Sequence, residues 1–275
     1  MRNPRQHRYP KDLSDAEWVA LEPLLPPPTS NGRPLKWPRR LMVEAVFYLV
    51  RSGCASRMLP SSFPPWPTVF TQFRSWRIDG TLRRMHDRLR ALAREAAGRN
   101  AEPSAAIIDS QTARATGVGG PARGYDAAKR TAGRKRYILV HSAGLVLLAH
   151  VHAANLHDRL DAQALIGQAS PGELPRLELV WADGAYAGTF ARWLEAGRGW
   201  RVEVSKHRDR HLWRYGLAGK PEGFQGIPRQ WVVERTFAWL SRSRRLARDY
   251  ERLPATAEAM IHAAMSRIML QLIAA

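Results

Sequence analysis

Three acidic side chains stand in strongly apolar stretches of a chain whose formal net charge is +19. Asp109 ends the run AAIID, Asp183 ends LELVWAD, and Glu234 lies within QWVVERTFAWL. A carboxylate that closes an apolar strand is costly to bury unless it is paired or holds a cation. Three of them in so basic a chain indicate a divalent-metal site that acts on a polyanion.

The two aspartates are expected at the carboxyl ends of neighbouring strands, where both side chains can enter one crevice. Because close like charges repel, the site needs a cation, and Mg²⁺ suits a few carboxylates and several waters. Two ions about 4 Å apart, Mg²⁺ or alternatively Mn²⁺, would serve the attacking and leaving oxygens of a phosphodiester. Structural interpretations remain open: Asp109 or Asp183 as a turn former or helix cap, and Glu234 as an ion-pair partner of Arg235 or Arg242.

The charge balance indicates a polyanionic partner. The chain has 43 Lys and Arg residues against 24 Asp and Glu, and 37 of the 43 are Arg. A planar guanidinium makes forked contacts to phosphate, which favours nucleic acid. Cys54 is the single cysteine, which excludes an intramolecular disulfide and a thiolate metal cluster. No apolar run approaches eighteen residues and the basic N-terminus has no apolar core, so we expect a soluble, cytoplasmic protein.

The first hundred residues predict a small helical domain. Ser14 is a candidate N-cap, and a second helix is expected to run from Pro38 to a stop at Gly53. In the third helix, TVFTQFRSWRIDG, four apolar side chains share one face, whereas Arg74 and Arg77 fall away from much of it. The four are Val69, Phe70, Phe73 and Trp76. With a fourth helix ending at Gly98, this arrangement resembles a helix-turn-helix and predicts a DNA-binding domain over residues 1–99.

After the boundary segment RNAEPS, residues 104–275 predict a mixed α/β domain. Strands are expected at 105–109, 136–142, 145–153 and 177–183, and the tight Ala143-Gly144 connection predicts an antiparallel hairpin. Helices and a short strand alternate with these strands, and two helices, 229–249 and 255–273, are expected to close the domain.

Several motifs, in order along nearly the whole chain, resemble DDE transposases of bacterial insertion sequences, in the group named for insertion sequence five. The motifs are LSDAEWVALEPLLP, GRP and FYLVRSGCASRMLPSSFPPWPTVFTQFRSWRIDG at the front, followed by IIDSQT, GYDAAKRTAGRKRYILV, VWADGAYAG and QWVVERTFAWLSRSRRLARDYE. The resemblance implies an RNase H-like catalytic domain in which Asp109, Asp183 and Glu234 form a Mg²⁺-binding triad.

The resemblance also implies a reaction and partners. The reaction is hydrolysis at the terminal inverted repeats of the element, followed by transfer of a 3′-hydroxyl into target DNA. The implied partners are double-stranded DNA and further copies of the chain, in a homodimer or a larger assembly on DNA, because two ends must be paired. The implied location is the bacterial cytoplasm, with association to the nucleoid when DNA is bound. The chain departs from the family pattern at Ser56, His141, Gln230 and Ser241.

Three sets of basic residues are candidates for DNA contact. The first is a glycine-rich stretch after Asp109, predicted to be a flexible loop. The second is predicted to share a helix with Glu234, and the third lies on the third N-terminal helix. In order, the sets are Arg123, Lys129, Arg130, Arg134, Lys135 and Arg136; then Arg235, Arg242 and Arg245; then Arg74 and Arg77.

Two other functions remain open from the sequence. One is a non-catalytic DNA-binding protein derived from a transposase, and the other is a stand-alone nuclease of the same fold. The three acids and the uninterrupted motifs favour the transposase.

Overall fold

The computed structural model of the protein describes residues 9, 12–27, 36–117, 120–156, 158–170, 172–204 and 229–274. The chain forms two compact units. The helical unit comprises Met1–Ala101, Arg114–Ala122 and Leu240–Ala275, and the sheet unit comprises Glu102–Ala113 and Arg123–Trp239. The break between Ala101 and Glu102 lies near the predicted boundary, but Arg114–Ala122 and Leu240–Ala275 group with the N-terminal helices and not with the domain predicted over 104–275.

In its described residues the helical unit contains the helices α1 (Asp15–Leu21), α2 (Arg39–Ser52), α3 (Trp66–Ile78), α4 (Thr81–Ala96) and α8 (Pro254–Ile273). Ser14 caps α1 as predicted, since its hydroxyl accepts from the Glu17 N–H while the Glu17 carboxylate accepts from the Ser14 N–H. Gly53 ends α2 with a left-handed φ of 69°. The long helix α8 packs chiefly against α4 and buries most of its apolar side chains.

The sheet unit contains β1 (Ala105–Arg114), β2 (Gly124–Asp126), β3 (Thr131–His141), β4 (Val146–Ala153), β5 (Leu179–Ala182) and β6 (Arg201–Val204). The strand order is β2-β3-β1-β5-β6, and β4 pairs with β3. The β2–β3 and β3–β4 pairs are antiparallel, whereas β5 pairs in parallel with both β1 and β6. A helical region followed by a mixed sheet confirms the predicted fold class.

The described part of the sheet unit also contains the helices α5 (Asp158–Gly167) and α6 (Thr189–Arg198), and α7 (Gln230–Ser241) begins in it. Side chains of α5 and α6 share one core cluster with Ala106 and Ile108 of β1 and with Val180 and Ala182 of β5. Because side chains alternate along a strand, Asp109 lies on the opposite face of β1, with Ile107.

Four local predictions are corrected by the structure. Strand β1 continues to Arg114, so Asp109 lies inside the strand and not at its end. The stretch predicted as a loop contains β2 and the start of β3, and the helix predicted over 229–249 ends at Ser241. On α3, Val69, Phe73 and Trp76 are buried, but Phe70 is 51% exposed.

Within the described ranges, none of the helices is long and apolar enough to cross a membrane.

We predict that Gly53→Ala destabilises the protein more than Gly98→Ala does. Both glycines have left-handed φ values, 69° and 68°, so any side chain at either position adds backbone strain of about 1 kcal/mol. A Cβ at Gly53 would also lie 2.9 Å from the Arg244 Cβ, whereas one at Gly98 would meet nothing within 4 Å. Urea unfolding of both variants measures the difference, and equal losses would contradict the close packing at Gly53.

Candidate metal and nucleic-acid site

The parallel register of β1 and β5 brings Asp109 and Asp183 level with each other. Ala105 pairs with Leu179, Ala106 with Val180 and Ile107 with Trp181. Continued two residues beyond the last of these pairs, the same register would set Asp109 level with Asp183, with the strands about 4.8 Å apart. Asp109 lies within β1 and Asp183 directly follows β5, so the strand pairing favours their proximity although only Asp183 stands at a strand end.

Each aspartate also makes a local backbone hydrogen bond. The Asp109 Oδ1 accepts from the Ser110 N–H at 2.7 Å. The Asp183 Oδ1 accepts from the Ala185 N–H at 2.9 Å and so caps a 3₁₀ turn, Gly184–Tyr186. The cap interpretation of Asp183 is thus correct for one of its two carboxylate oxygens, and a carboxylate so engaged still has lone pairs for a cation.

The electrostatics of Asp109 link the three acids. The pKa of the Asp109 carboxyl is raised to about 6, chiefly by burial and also by the negative charges of Asp183 and Glu234. The Ser110 N–H and the positive charge of Lys129 act in the opposite direction. Asp109 is thus close enough to both other acids to be destabilised by their charges, and a bound cation would relieve the repulsion.

Glu234 lies exposed on α7 and makes no ion pair with any residue in the described parts of the chain. Its helix is held instead by the next two residues. The Arg235 guanidinium lies between the rings of Trp231 and Trp239, 4.6 Å and 4.8 Å from their centroids, and donates to the Ala143 carbonyl at 3.0 Å. The buried Thr236 hydroxyl donates to the Gly144 carbonyl at 2.6 Å.

The donor set suits a hard cation, although the three carboxylates do not yet form a metal cage. Carboxylate oxygens are the ligands that Mg²⁺ and Mn²⁺ prefer. Among the described residues, no group of three His, Cys, Asp or Glu side chains lies close enough to hold an ion together. Ion binding would therefore require the carboxylates to move closer to one another.

The structure buries two of the predicted DNA contacts and engages the side chain of a third, the half-buried Arg245, within the protein. Arg134 and Arg136 lie in β3 and are only 1% and 2% exposed. The Arg245 guanidinium is bound to the Glu251 carboxylate at 2.6 Å and to the Cys54 carbonyl at 3.2 Å. Because α7 ends at Ser241, neither Arg245 nor Arg242 shares a helix with Glu234, and both belong to the helical unit.

The other candidates keep surface exposure to different degrees. Arg235 is held by two tryptophans and a carbonyl, as described above. The exposed members are Arg74, Arg123, Lys129, Arg130 and Arg242, and the half-buried ones are Arg77 and Lys135.

Two roles near the site were not anticipated from the sequence. Trp231 and Trp239 stand four residues before and four residues after Arg235. On a helix this spacing brings side chains together, so it could have predicted the contact of both rings with the Arg235 guanidinium. Trp231 is 54% exposed, although tryptophan side chains are mostly buried, and its ring makes this contact. His141, one of the departures from the family pattern, is buried, and its Nδ1 accepts from the Ala143 N–H within the β3–β4 turn at 3.0 Å.

Comparison with known proteins agrees with the family that the sequence motifs resemble, in the same order along the chain. Residues 13–86 match the family model described as "Putative transposase of IS4/5 family", and residues 100–269 match the model described as "Transposase DDE domain". A relative is the insertion element IS402 uncharacterized 16.2 kDa protein of Burkholderia cepacia. It is 30% identical over 113 residues, which are 39% of this chain and 76% of that protein.

We predict that Asp109→Asn stabilises the protein above pH 6 in metal-free buffer. A folded-state pKa of about 6 means that folding favours the protonated carboxyl, so the cost of the charge is absent below about pH 4 and complete above pH 6. That cost is on the order of 3 kcal/mol. In urea unfolding, the free energy of unfolding of the variant should exceed that of the wild type at pH 8 and equal it at pH 4.

Asp126→Asn is the matched control, because its shift has the opposite sign. Although burial opposes the effect, hydrogen bonds from the Thr112 hydroxyl (2.5 Å) and the Lys129 N–H (3.0 Å) hold the Asp126 pKa below its usual range. This variant should lose stability at pH 8. A destabilised Asp109→Asn at that pH would contradict the electrostatic account of the site.

Thr236→Val is predicted to weaken the attachment of α7, whereas Thr236→Ser is not. Valine keeps the shape but leaves the buried Gly144 carbonyl without its donor, which costs about 1–3 kcal/mol. Hydrogen exchange of the α7 amides should accelerate in the valine variant and stay near wild type in the serine variant. Equal exchange in both would show that the hydroxyl does not anchor the helix.

Proposed function

The chain belongs to the DDE transposase family, and from this premise we propose that it is a metal-dependent transposase. It would bind the terminal inverted repeats of an insertion sequence, cut the DNA there and join the freed 3′ ends to target DNA. One observation carries the proposal: the negative charges of Asp183 and Glu234 both raise the pKa of the Asp109 carboxyl. The register of β1 with β5 agrees with it, since it would set Asp109 level with Asp183.

Asp109, Asp183 and Glu234 are the proposed ligands of the metal. Two Mg²⁺ ions, or Mn²⁺ in their place, would activate the attacking oxygen and stabilise the leaving oxygen at the scissile phosphate. With a pKa of about 6, the Asp109 carboxyl is mostly ionised at neutral pH and available to a cation. The Ser110 and Ala185 N–H groups fix one oxygen of each aspartate, which orients the other oxygen without consuming it.

The proposed chemistry is two displacements at phosphorus. In the first, water attacks, the bond to the 3′-oxygen breaks, and a 3′-hydroxyl and a 5′-phosphate result. In the second, that hydroxyl attacks a target phosphate and the target's own 3′-oxygen leaves. One phosphodiester bond replaces another in the second step, so no external energy source is needed.

The DNA-binding surface of the proposal uses the basic side chains that the structure leaves exposed. On the sheet unit these include Arg123, Lys129 and Arg130, and on α3 they include Arg74. Among these basic side chains, Lys129 is the one whose positive charge acts on the proposed metal ligands, because it lowers the pKa of Asp109. Pairing of two element ends makes a dimer on DNA the proposed assembly.

We predict that the protein cleaves DNA only with a divalent metal and that cleavage requires each of the three acids. Duplexes carrying the inverted repeats that flank the coding region are incubated with Mg²⁺ or Mn²⁺ and with wild type, Asp109→Asn, Asp183→Asn or Glu234→Gln. Each substitution removes a ligand charge and should lower the cleavage rate about 100-fold or more. DNA binding should be retained, because loss of a negative charge does not weaken attraction to a polyanion.

Glu195→Gln is the matched control, since Glu195 is an exposed acid on α6 of the same unit. It should cleave like the wild type. Binding without cleavage by the wild type would support the non-catalytic DNA-binding function, and cleavage without joining would support the stand-alone nuclease.

A further inference from the structure

A cation–π stack joins the residue before α7 to β5, the strand that directly precedes Asp183. The Arg229 guanidinium carbon lies 3.8 Å from the centroid of the Trp181 ring. Trp181 is in β5, two residues before Asp183, and Arg229 immediately precedes α7, five residues before Glu234. The contact therefore spans the two elements that bear two of the three acids.

The ring of Trp181 is itself held in place. Its indole N–H donates to the Glu203 carboxylate at 2.7 Å, and Trp181 and Glu203 are register partners on β5 and β6. The tryptophan is 8% exposed. A buried ring with its polar atom satisfied offers a fixed surface for the guanidinium.

The backbone of Arg229 indicates that its side chain is kept for a reason. Its φ is 70°, in the left-handed region that disfavours residues other than glycine. Its carbonyl accepts from the Val232 N–H at 3.1 Å and so begins the first turn of α7. A glycine would adopt this conformation with less strain, but it would lose the stack on Trp181.

We propose that Arg229 is a positioning residue that sets Glu234 relative to Asp183 through its stack on Trp181. Five residues of helix extend about 7.5 Å, so an error in the direction of the first turn is carried directly to Glu234. Arg235 and Thr236 hold the middle of α7 to the β3–β4 turn, and Arg229 adds a second fixed point on β5. Two points fix the direction of a helix, which one point cannot. This inference rests on the proposed function, in which Glu234 and Asp183 hold the same metal.

The variant Arg229→Gly distinguishes the effect of the stack on Trp181 from the effect of the backbone strain at residue 229. Glycine relieves the positive φ, so we expect a thermal unfolding midpoint at or above that of the wild type. Loss of the stack should weaken Mn²⁺ affinity, measured by electron paramagnetic resonance of the free ion, about tenfold. The cleavage rate at saturating DNA should fall by a similar factor, and DNA affinity and its salt dependence should not change.

Arg229→Lys distinguishes positioning from phosphate contact. Lysine keeps the charge but not the flat guanidinium that lies on the ring, so the positioning role predicts little rescue of Mn²⁺ affinity. A phosphate contact predicts the reverse: lysine would restore activity, and glycine would weaken DNA binding and reduce its salt slope. That second pattern would overturn the proposal.

A double-mutant cycle with Trp181→Leu tests the stack itself. If Arg229 acts through the ring, the double variant Arg229→Gly with Trp181→Leu should bind Mn²⁺ no more weakly than the worse single variant. Additive losses would overturn the proposal, as would wild-type Mn²⁺ affinity and cleavage in Arg229→Gly. If the wild type itself neither binds Mn²⁺ nor cleaves, the metal-dependent function fails and the positioning role fails with it. Failure of Arg229 alone leaves the loss caused by Asp109→Asn intact.

Discussion

The repulsion among three carboxylates is the constraint on which the sheet unit depends. Asp109 and Asp183 are brought level by the register of β1 and β5, and Glu234 comes near enough to act on the Asp109 pKa. Nothing in a stable core favours such an arrangement, since the charges of Asp183 and Glu234 raise the cost of ionising Asp109. The surrounding strands and α7 must hold the acids against that cost, which is typical of a functional site.

Two kinds of contact hold the three acids in place against their repulsion. The pairing of β1 with β5 fixes the two aspartates through backbone hydrogen bonds, which do not depend on side-chain freedom. The position of Glu234 depends on side-chain contacts of α7, with Thr236 on the Gly144 carbonyl and Arg235 between two tryptophans. The backbone-held pair is therefore the rigid part of the site, and Glu234 is the part whose placement a mutation can change most easily.

Local signals made part of this structure predictable. Ser14 with Glu17, and Gly53 after an apolar helix, define element ends through interactions within a few residues. The break after Ser241 has no such signal, because neither glycine nor proline stands there and Ser243 adopts an extended conformation within an Arg-rich stretch. The burial of Arg134 and Arg136 was likewise invisible, since a basic stretch paired inside a sheet has the composition of a surface loop. Types and order of the acids were readable from the sequence, but the register that sets Asp109 against Asp183 is a tertiary property.

The division of the chain between its units has a consequence for its biosynthesis. Helix α4 packs against α8, and Ala115 bridges to Asp249, so the helical unit is assembled from segments far apart in the chain. A ribosome delivers α4 long before α8, and the apolar side of α4 must wait through the synthesis of the whole sheet unit. The sheet unit can therefore be complete before the helical unit is. A product shortened at its C-terminal end would lose the integrity of the helices near its N-terminal end first, and the strands bearing Asp109 and Asp183 would be affected less.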